Sequence, residues 1–326
     1  MGTKTIIDPT FHLIKKGYEQ DSKSYKEYRR RWNENPKKYI AGDFPIHLDI
    51  ESHTLCNLKC FMCFQSYDSP DYASIDMDLF KKVVNEGVQK GLCSVKTQYR
   101  GEPLLDSRMA EMVKYVKDGG VIEVMFNTNA QMLNKMIVID LIKAGLDKII
   151  CSVDGCTKEV YESVRIGAKF ETVLENIKNL QRLKKELDSK TPIVRVQMVD
   201  TPRNHFQIDE YIKFWGEIAD QVAIEDMLDY NTTEDNTPME NFACAQLWQR
   251  LLILADGDVL PCCRATRGGN EKLAVLGNIK ETSISEIWQS DKLNILRELH
   301  KEGESHKIRM CRLCGLRKNF NKKEIL

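Results

Sequence analysis

A chain of 326 residues is longer than an ordinary single domain, and 42% hydrophobic with 29% charged residues is the balance of a folded protein with a sizeable core, which argues against disorder. Forty-eight basic against 48 acidic side chains leave no net charge, which argues against nucleic acid or an anionic membrane surface as main partner and for a small-molecule or neutral one. No apolar run approaches the roughly 20 residues of a membrane span and no signal-peptide core opens the chain, so a cytoplasmic location is expected; there, eleven clustered cysteines point to metal ligation and away from disulfides.

Residues 1–44 are polar and basic, with Lys15-Lys16, Arg29-Arg30-Arg31 and Lys37-Lys38. Tyr18, Tyr25, Tyr28 and Trp32 recur at near-helical intervals, which predicts a short helical leader packed on the body by its aromatic stripe. From 45 to about 228, β-like runs alternate with amphipathic helical runs. Strands are predicted over 46–52, 94–99, 122–127, 148–153, 193–199 and 222–224, and helices over 77–90, 107–117, 133–144, 170–187 and 208–218. Such alternation means an α/β fold with a parallel sheet, doubly wound or rolled into a barrel, whose active site lies at the C-terminal ends of the strands. Gly91, Gly119-Gly120 and Gly145 stand where helix C-caps belong. Residues 229–326 form a small further domain, with a hairpin predicted around Asp256-Gly257-Asp258 and a helix over 284–300.

Cys56-x3-Cys60-x2-Cys63 follows the first predicted strand, so three thiols share one loop at the expected mouth of the fold. A zinc reading needs a distant fourth ligand, His47 or His53, whereas the triplet suits three corners of a cubane iron–sulfur cluster. Here the chain, from about Pro45 to its end, resembles the radical S-adenosylmethionine (radical SAM) superfamily. The resemblance implies a partial (β/α)6 barrel in which Cys56, Cys60 and Cys63 hold a 4Fe-4S cluster, with the fourth iron left for S-adenosylmethionine. Electron transfer to the sulfonium then frees a 5′-deoxyadenosyl radical.

Further stretches match family positions for holding S-adenosylmethionine. Gly101-Glu102-Pro103 resembles the "GGE" segment that meets its ammonium, with Arg100 standing where the first glycine is usual. Ser152 and Asp154 in "CSVDG" resemble ribose contacts, and Arg165 resembles a contact to the carboxylate. Met62 replaces the common aromatic residue before the last cysteine, beside the adenine.

Cys244, Cys262, Cys311 and Cys314, with "ADGDVLPCCRA" between them, resemble the SPASM extension or its shorter one-cluster form, twitch, as found in enzymes that oxidise an aminocyclitol alcohol. Five cysteines in this region imply one auxiliary 4Fe-4S cluster; structural zinc is the alternative, and Cys263 is the substitute ligand if Cys262 is not one. Cys93, Cys151 and Cys156 read as core residues. The resemblance implies an oxidoreductase that removes a hydrogen atom from a substrate carbon, oxidising or epimerising a sugar, aminocyclitol or nucleotide-sugar. It also implies a reducing partner such as flavodoxin or ferredoxin; modification of a peptide or protein is the alternative. Glu225, Asp226 and Asp229, after the last predicted barrel strand, are the candidate general bases by position.

Overall fold

Two short strands, β1 (Lys4–Ile6) and β2 (Phe11–Lys15), precede helix α1 (Lys23–Lys37) in the computed structural model, which describes residues 4–6, 11–15, 20–66, 68–227, 233–239, 242–267 and 271–317. Tyr18 and Asp229 lie outside the described residues. Ser22 caps α1 by accepting the Tyr25 amide at 3.1 Å, and the aromatic stripe does the docking: Tyr25 and Tyr28 are buried, and Trp32 packs edge-on to His47 at 5.6 Å.

The alternating region folds in the expected order, with one further helix, α5, that was not expected: β3 (His47–Ile50), α2 (Met77–Gln89), β4 (Ser94–Lys96), α3 (Met109–Asp118), β5 (Glu123–Thr128), α4 (Lys135–Ala144), β6 (Lys148–Ser152), α5 (Lys158–Val164), α6 (Phe170–Glu186), β7 (Ile193–Asp200), α7 (Ile208–Gly216) and β8 (Gln221–Asp226). Each of these strands pairs in parallel with its sequence neighbour, β3 through β8. A doubly wound sheet reverses its strand order at a switch point; this one does not, which decides for the partial barrel. Local signals set the joints. Asn134 caps α4 through the amides of Met136 and Ile137, and Gly145 ends it in the left-handed conformation, φ 83°.

The remaining elements are β9 (Phe242–Cys244), β10 (Arg250–Ile253), β11 (Asp258–Leu260), β12 (Thr266–Arg267), β13 (Glu271–Lys272), β14 (Gly277–Asn278), α8 (Ile284–Trp288), α9 (Asp291–Lys301) and α10 (Arg309–Arg312). The hairpin falls where expected, with Leu252 opposite Leu260, but β10 also pairs in parallel with β3 and so extends the barrel sheet. The helix expected over 284–300 is two helices, because Ser290 caps α9 immediately after α8 ends. Glu86 of α2 accepts the Ile284 and Ser285 amides at 3.0 and 2.8 Å, seating the α8 N-terminus on the barrel. The leader is only partly helical, since β2 pairs antiparallel with β8 and β1 in parallel with β9. Division into 1–44, 45–228 and 229–326 remains a proposal.

A buried ion pair closes the N-terminal end of the barrel: Lys148 Nζ lies 2.7 Å from Glu123 Oε1, and the Tyr28 hydroxyl donates to Glu123 at 3.3 Å. Lys148→Met leaves Glu123, 1% exposed, without its cation. The expected cost is roughly 3–5 kcal/mol, read from urea unfolding, with activity per folded molecule retained because the pair sits opposite the strand ends that form the site.

Candidate active site and auxiliary cysteine pocket

The C-terminal strand ends enclose a cavity of about 290 Å3. The loop after β3 supplies Cys56, Cys60, Met62 and Cys63; the loop after β4 supplies Tyr99, Arg100, Gly101 and Glu102; β6 and β8 contribute Ser152, Glu225 and Asp226. Backbone bonds fold the cysteine loop onto the segment that carries Arg165, with Lys59 N to Ile166 O at 2.9 Å and Phe61 N to Val164 O at 3.2 Å. Arg165 Nη1 consequently stands 3.8 Å from Cys60 Sγ. Burial raises all three thiols above the usual cysteine range, and the Arg165 charge works in the opposite direction, toward the thiolate.

Glu102 is held by the chain itself, accepting from Thr128 Oγ1 at 2.6 Å, the Asn129 amide at 2.7 Å and the Leu104 amide at 3.1 Å. Burial raises its pKa despite these bonds. Three donors leave room for one more at a carboxylate, which accepts about four. Gly101 has φ 72°, and a Cβ there would meet the backbone oxygens of Leu55 and His53 at 2.6 and 2.7 Å, so only glycine lets this loop lie against the cysteine loop. Gly101→Ala is expected to cut 5′-deoxyadenosine release about 100-fold, the scale of a misplacement of about 1 Å, in a quantified single-turnover assay.

Asp154 does not contact the cavity as a ribose ligand would. Fully buried, it accepts the Val199 amide at 2.8 Å and pairs with Arg165, Nε to Oδ2 at 2.7 Å, so it positions the arginine, and Ser152 alone of the two faces the cavity. His47 and His53 are also placed away from the thiols' cavity: His47 Nδ1 bonds Ser94 Oγ at the start of β3, and His53 Nδ1 accepts the Leu55 amide.

At the far side, Gln197 Nε2 donates to Glu225 Oε2 at 2.6 Å, and His12 Nε2 stands 3.5 Å from Asp226 Oδ1. His12 has no motif to announce it and arrives through the pairing of β2 with β8. Arg100, which departs from the family pattern, makes a buried pair with Glu51, at 2.6 Å from Nε and 2.8 Å from Nη2, and the same carboxylate accepts the Ala255 amide at 3.1 Å. Tyr99 donates to Cys263 O at 2.9 Å. The loop that carries Glu102 is thereby tied to the loop of the auxiliary cysteines.

Cys244, Cys262, Cys311 and Cys314 line a second, smaller pocket with His300, Met310, Leu316 and Arg317. Cys262 is the member of the adjacent pair that faces it; the Cys263 thiol is directed to Gln246 Oε1, 3.6 Å away. Burial, with the neighbouring thiols adding to it, pushes Cys262 and Cys311 well above the usual range, an arrangement suited to binding positive iron. Burial first, then the Arg317 charge, pushes His300 down to about 3. Arg264, directly after Cys263, lines both cavities, and that adjacency was the one sequence signal for it. Among the described residues no three His, Cys, Asp or Glu side chains are already set around a single metal ion. The donor chemistry fits iron–sulfur clusters: three thiols open on one side to polar groups at the first site, and at the second four thiols lining one pocket, Cys262 and Cys311 buried and Cys244 and Cys314 half-buried.

Residues 50–195 match the radical SAM superfamily, and residues 244–315 match SPASM, an iron-sulfur cluster-binding domain. The chain carries a radical SAM domain and a C-terminal SPASM domain, on an α/β partial barrel; these imply S-adenosylmethionine, a 4Fe-4S cluster and an auxiliary cluster as its cofactors. It is 26% identical over 319 residues to the tungsten-containing aldehyde ferredoxin oxidoreductase cofactor-modifying protein of Pyrococcus furiosus, covering 83% of this chain and 87% of that one. Its fold is similar to BtrN in complex with AdoMet and 2-DOIA, with TM-score 0.56 and 21% identity over 82% of this chain and 92% of BtrN. It is also similar to Streptococcus suis SuiB bound to precursor peptide SuiA, with TM-score 0.65 and 18% identity over 91% and 79%. No helix among the described residues is long and apolar enough to cross a membrane.

Proposed function

We propose that this radical SAM enzyme is a cytoplasmic oxidoreductase acting on a small hydroxylated substrate, a sugar, aminocyclitol or nucleotide-sugar, which it oxidises or epimerises. The observation that carries the reading is the sharing of one cavity by the three thiols, the carboxylates of Glu225 and Asp226, and Arg264 from the auxiliary cysteine loop. When bound, the first cluster and S-adenosylmethionine supply a 5′-deoxyadenosyl radical that takes a hydrogen atom from carbon, and the auxiliary cluster supplies an electron acceptor.

The chain's own groups do the rest. Cys56, Cys60 and Cys63 are assigned to the first cluster and Cys244, Cys262, Cys311 and Cys314 to the second. Glu102, Ser152, Arg165, Gly101 and Met62 hold S-adenosylmethionine. Gln197 fixes the Glu225 carboxylate, so Glu225 or Asp226 takes the hydroxyl proton of a substrate whose adjacent carbon has lost its hydrogen atom. Gln98, Asn127 and Asn129 add hydrogen-bonding groups to the lining, which suits a polyol better than an apolar ligand. Flavodoxin or ferredoxin is the proposed electron source.

The test is to incubate the reconstituted enzyme with carbon-deuterated sugars, cyclitols and peptides and to follow deuterium into 5′-deoxyadenosine. Deuterium transfer from a polyol, with a ketone or an inverted centre in the product, is expected. Transfer from peptides alone would overturn the substrate assignment, and Glu225→Gln/Asp226→Asn turning over as fast as the parent would overturn the base assignment.

A further inference from the structure

The auxiliary pocket contains a histidine that no cysteine motif announces. His300, near the C-terminal end of α9, is fully buried with its ring 5.9 Å from that of Phe242. Its Nδ1 accepts the backbone N–H of Cys244 at 3.2 Å, and its Nε2 lies 3.4 Å from Cys311 Sγ. A backbone amide only donates, so Nδ1 is the bare nitrogen. The neutral ring then carries its hydrogen on Nε2, facing the sulfur.

We propose that His300 is a positioning residue of the auxiliary cluster, donating Nε2–H to Cys311 Sγ and raising the cluster's reduction potential. A hydrogen bond to a ligating sulfur stabilises the reduced state more than the oxidised one, because reduction places more negative charge on the sulfur; such bonds are among the levers that set iron–sulfur potentials. Two neighbours act in the same direction. Arg317, itself fully buried, places its charge near Cys311 and Cys314, and Cys314 accepts backbone hydrogen bonds from Leu316 and Arg317. His300 is distinct among them because it joins two ligands from different parts of the chain, Cys244 on β9 and Cys311 on α10, through one rigid ring. A cluster poised upward is the better electron acceptor, as net oxidation of substrate requires.

The inference rests on the auxiliary cluster being present in this pocket. The full chain carrying Cys56→Ala/Cys60→Ala/Cys63→Ala is reconstituted anaerobically, and its iron and sulfide are measured first; absence of both would defeat the cluster assignment itself, separately from the role of His300. With the cluster present, its reduction is titrated by electron paramagnetic resonance in this background and after adding His300→Leu or His300→Gln. At the potential that half-reduces the parent, His300→Leu is expected to lower the reduced-to-oxidised ratio about tenfold, a shift of about 59 mV for one electron. His300→Gln, which keeps an N–H donor, is expected to recover most of it. Equal titration curves for all three would overturn the proposal. Should His300→Leu fail to hold its cluster, the parent labelled with 15N-histidine decides: a weak nitrogen coupling to the reduced cluster is expected. No coupling, or the strong coupling of a direct iron ligand, would overturn it.

Discussion

Replacing Cys56, Cys60 and Cys63 together by alanine is expected to abolish 5′-deoxyadenosine formation while leaving about four irons and four sulfides on the chain. The three thiols belong to one loop above the barrel, and the four auxiliary thiols line a separate pocket, so removing the first set touches none of the second. Loss of activity should reach the detection limit, since no other cysteine lines the first cavity among the described residues. Anaerobic reconstitution, metal and sulfide analysis and chromatography of 5′-deoxyadenosine measure both halves. Zinc retained without sulfide would reduce the second pocket to a structural clip and remove the support for net oxidation.

The second large effect is expected at Arg165. Asp154 is 0% exposed, and besides the Val199 amide its partner is the Arg165 guanidinium. Burial raises the Asp154 carboxyl and Arg165 opposes that rise; burial likewise opposes the arginine's charge, but Asp154 and Cys60 outweigh it and the arginine is held protonated. Arg165→Met leaves a buried carboxylate without its cation, at a cost of roughly 3–5 kcal/mol, seen as a lowered urea midpoint. Adding Asp154→Asn removes the stranded charge and should recover most of that stability. S-adenosylmethionine cleavage should stay lost in the double variant, because the cation beside Cys60 is gone in both. A double variant that regains cleavage along with stability would make the pair a structural support and remove Arg165 from the proposed cofactor contacts.

Much of the site was legible because its chemistry sits in short segments. Three thiols within eight residues mark a cluster loop whatever surrounds them, and Gly101 and Glu102 follow a strand at the position where a parallel α/β fold collects its ligands. Asp154 shows the limit of that kind of reading. The motif names the residue correctly, yet a carboxylate at a strand end can face the cavity or turn inward to a cation, and the position of Arg165, eleven residues further on, decides which. Arg100 looks like a loss of glycine in the sequence and proves to be half of a buried pair with Glu51, a partner 49 residues away. His12 and His300 carry no local signal at all, since each meets its partner only across a strand pairing or a helix packing.

What the sequence by itself determined is the alternation of the barrel's strands and helices, the parallel α/β class and the first cysteine group, carried by periodicity and spacing over stretches of a few to about 20 residues, whereas the auxiliary group, spread from Cys244 to Cys314, was marked by resemblance. Only the tertiary structure decided that β10 joins β3 and draws the auxiliary cysteines to the barrel, that β2 covers the far edge at Glu225, and which thiol of Cys262-Cys263 enters the pocket. The physical reason is the same in each case. Hydrogen-bonding edges and buried charges choose partners by the free energy of the whole arrangement, in which a strand edge accepts any strand that buries its side chains, and local sequence does not encode which of them arrives.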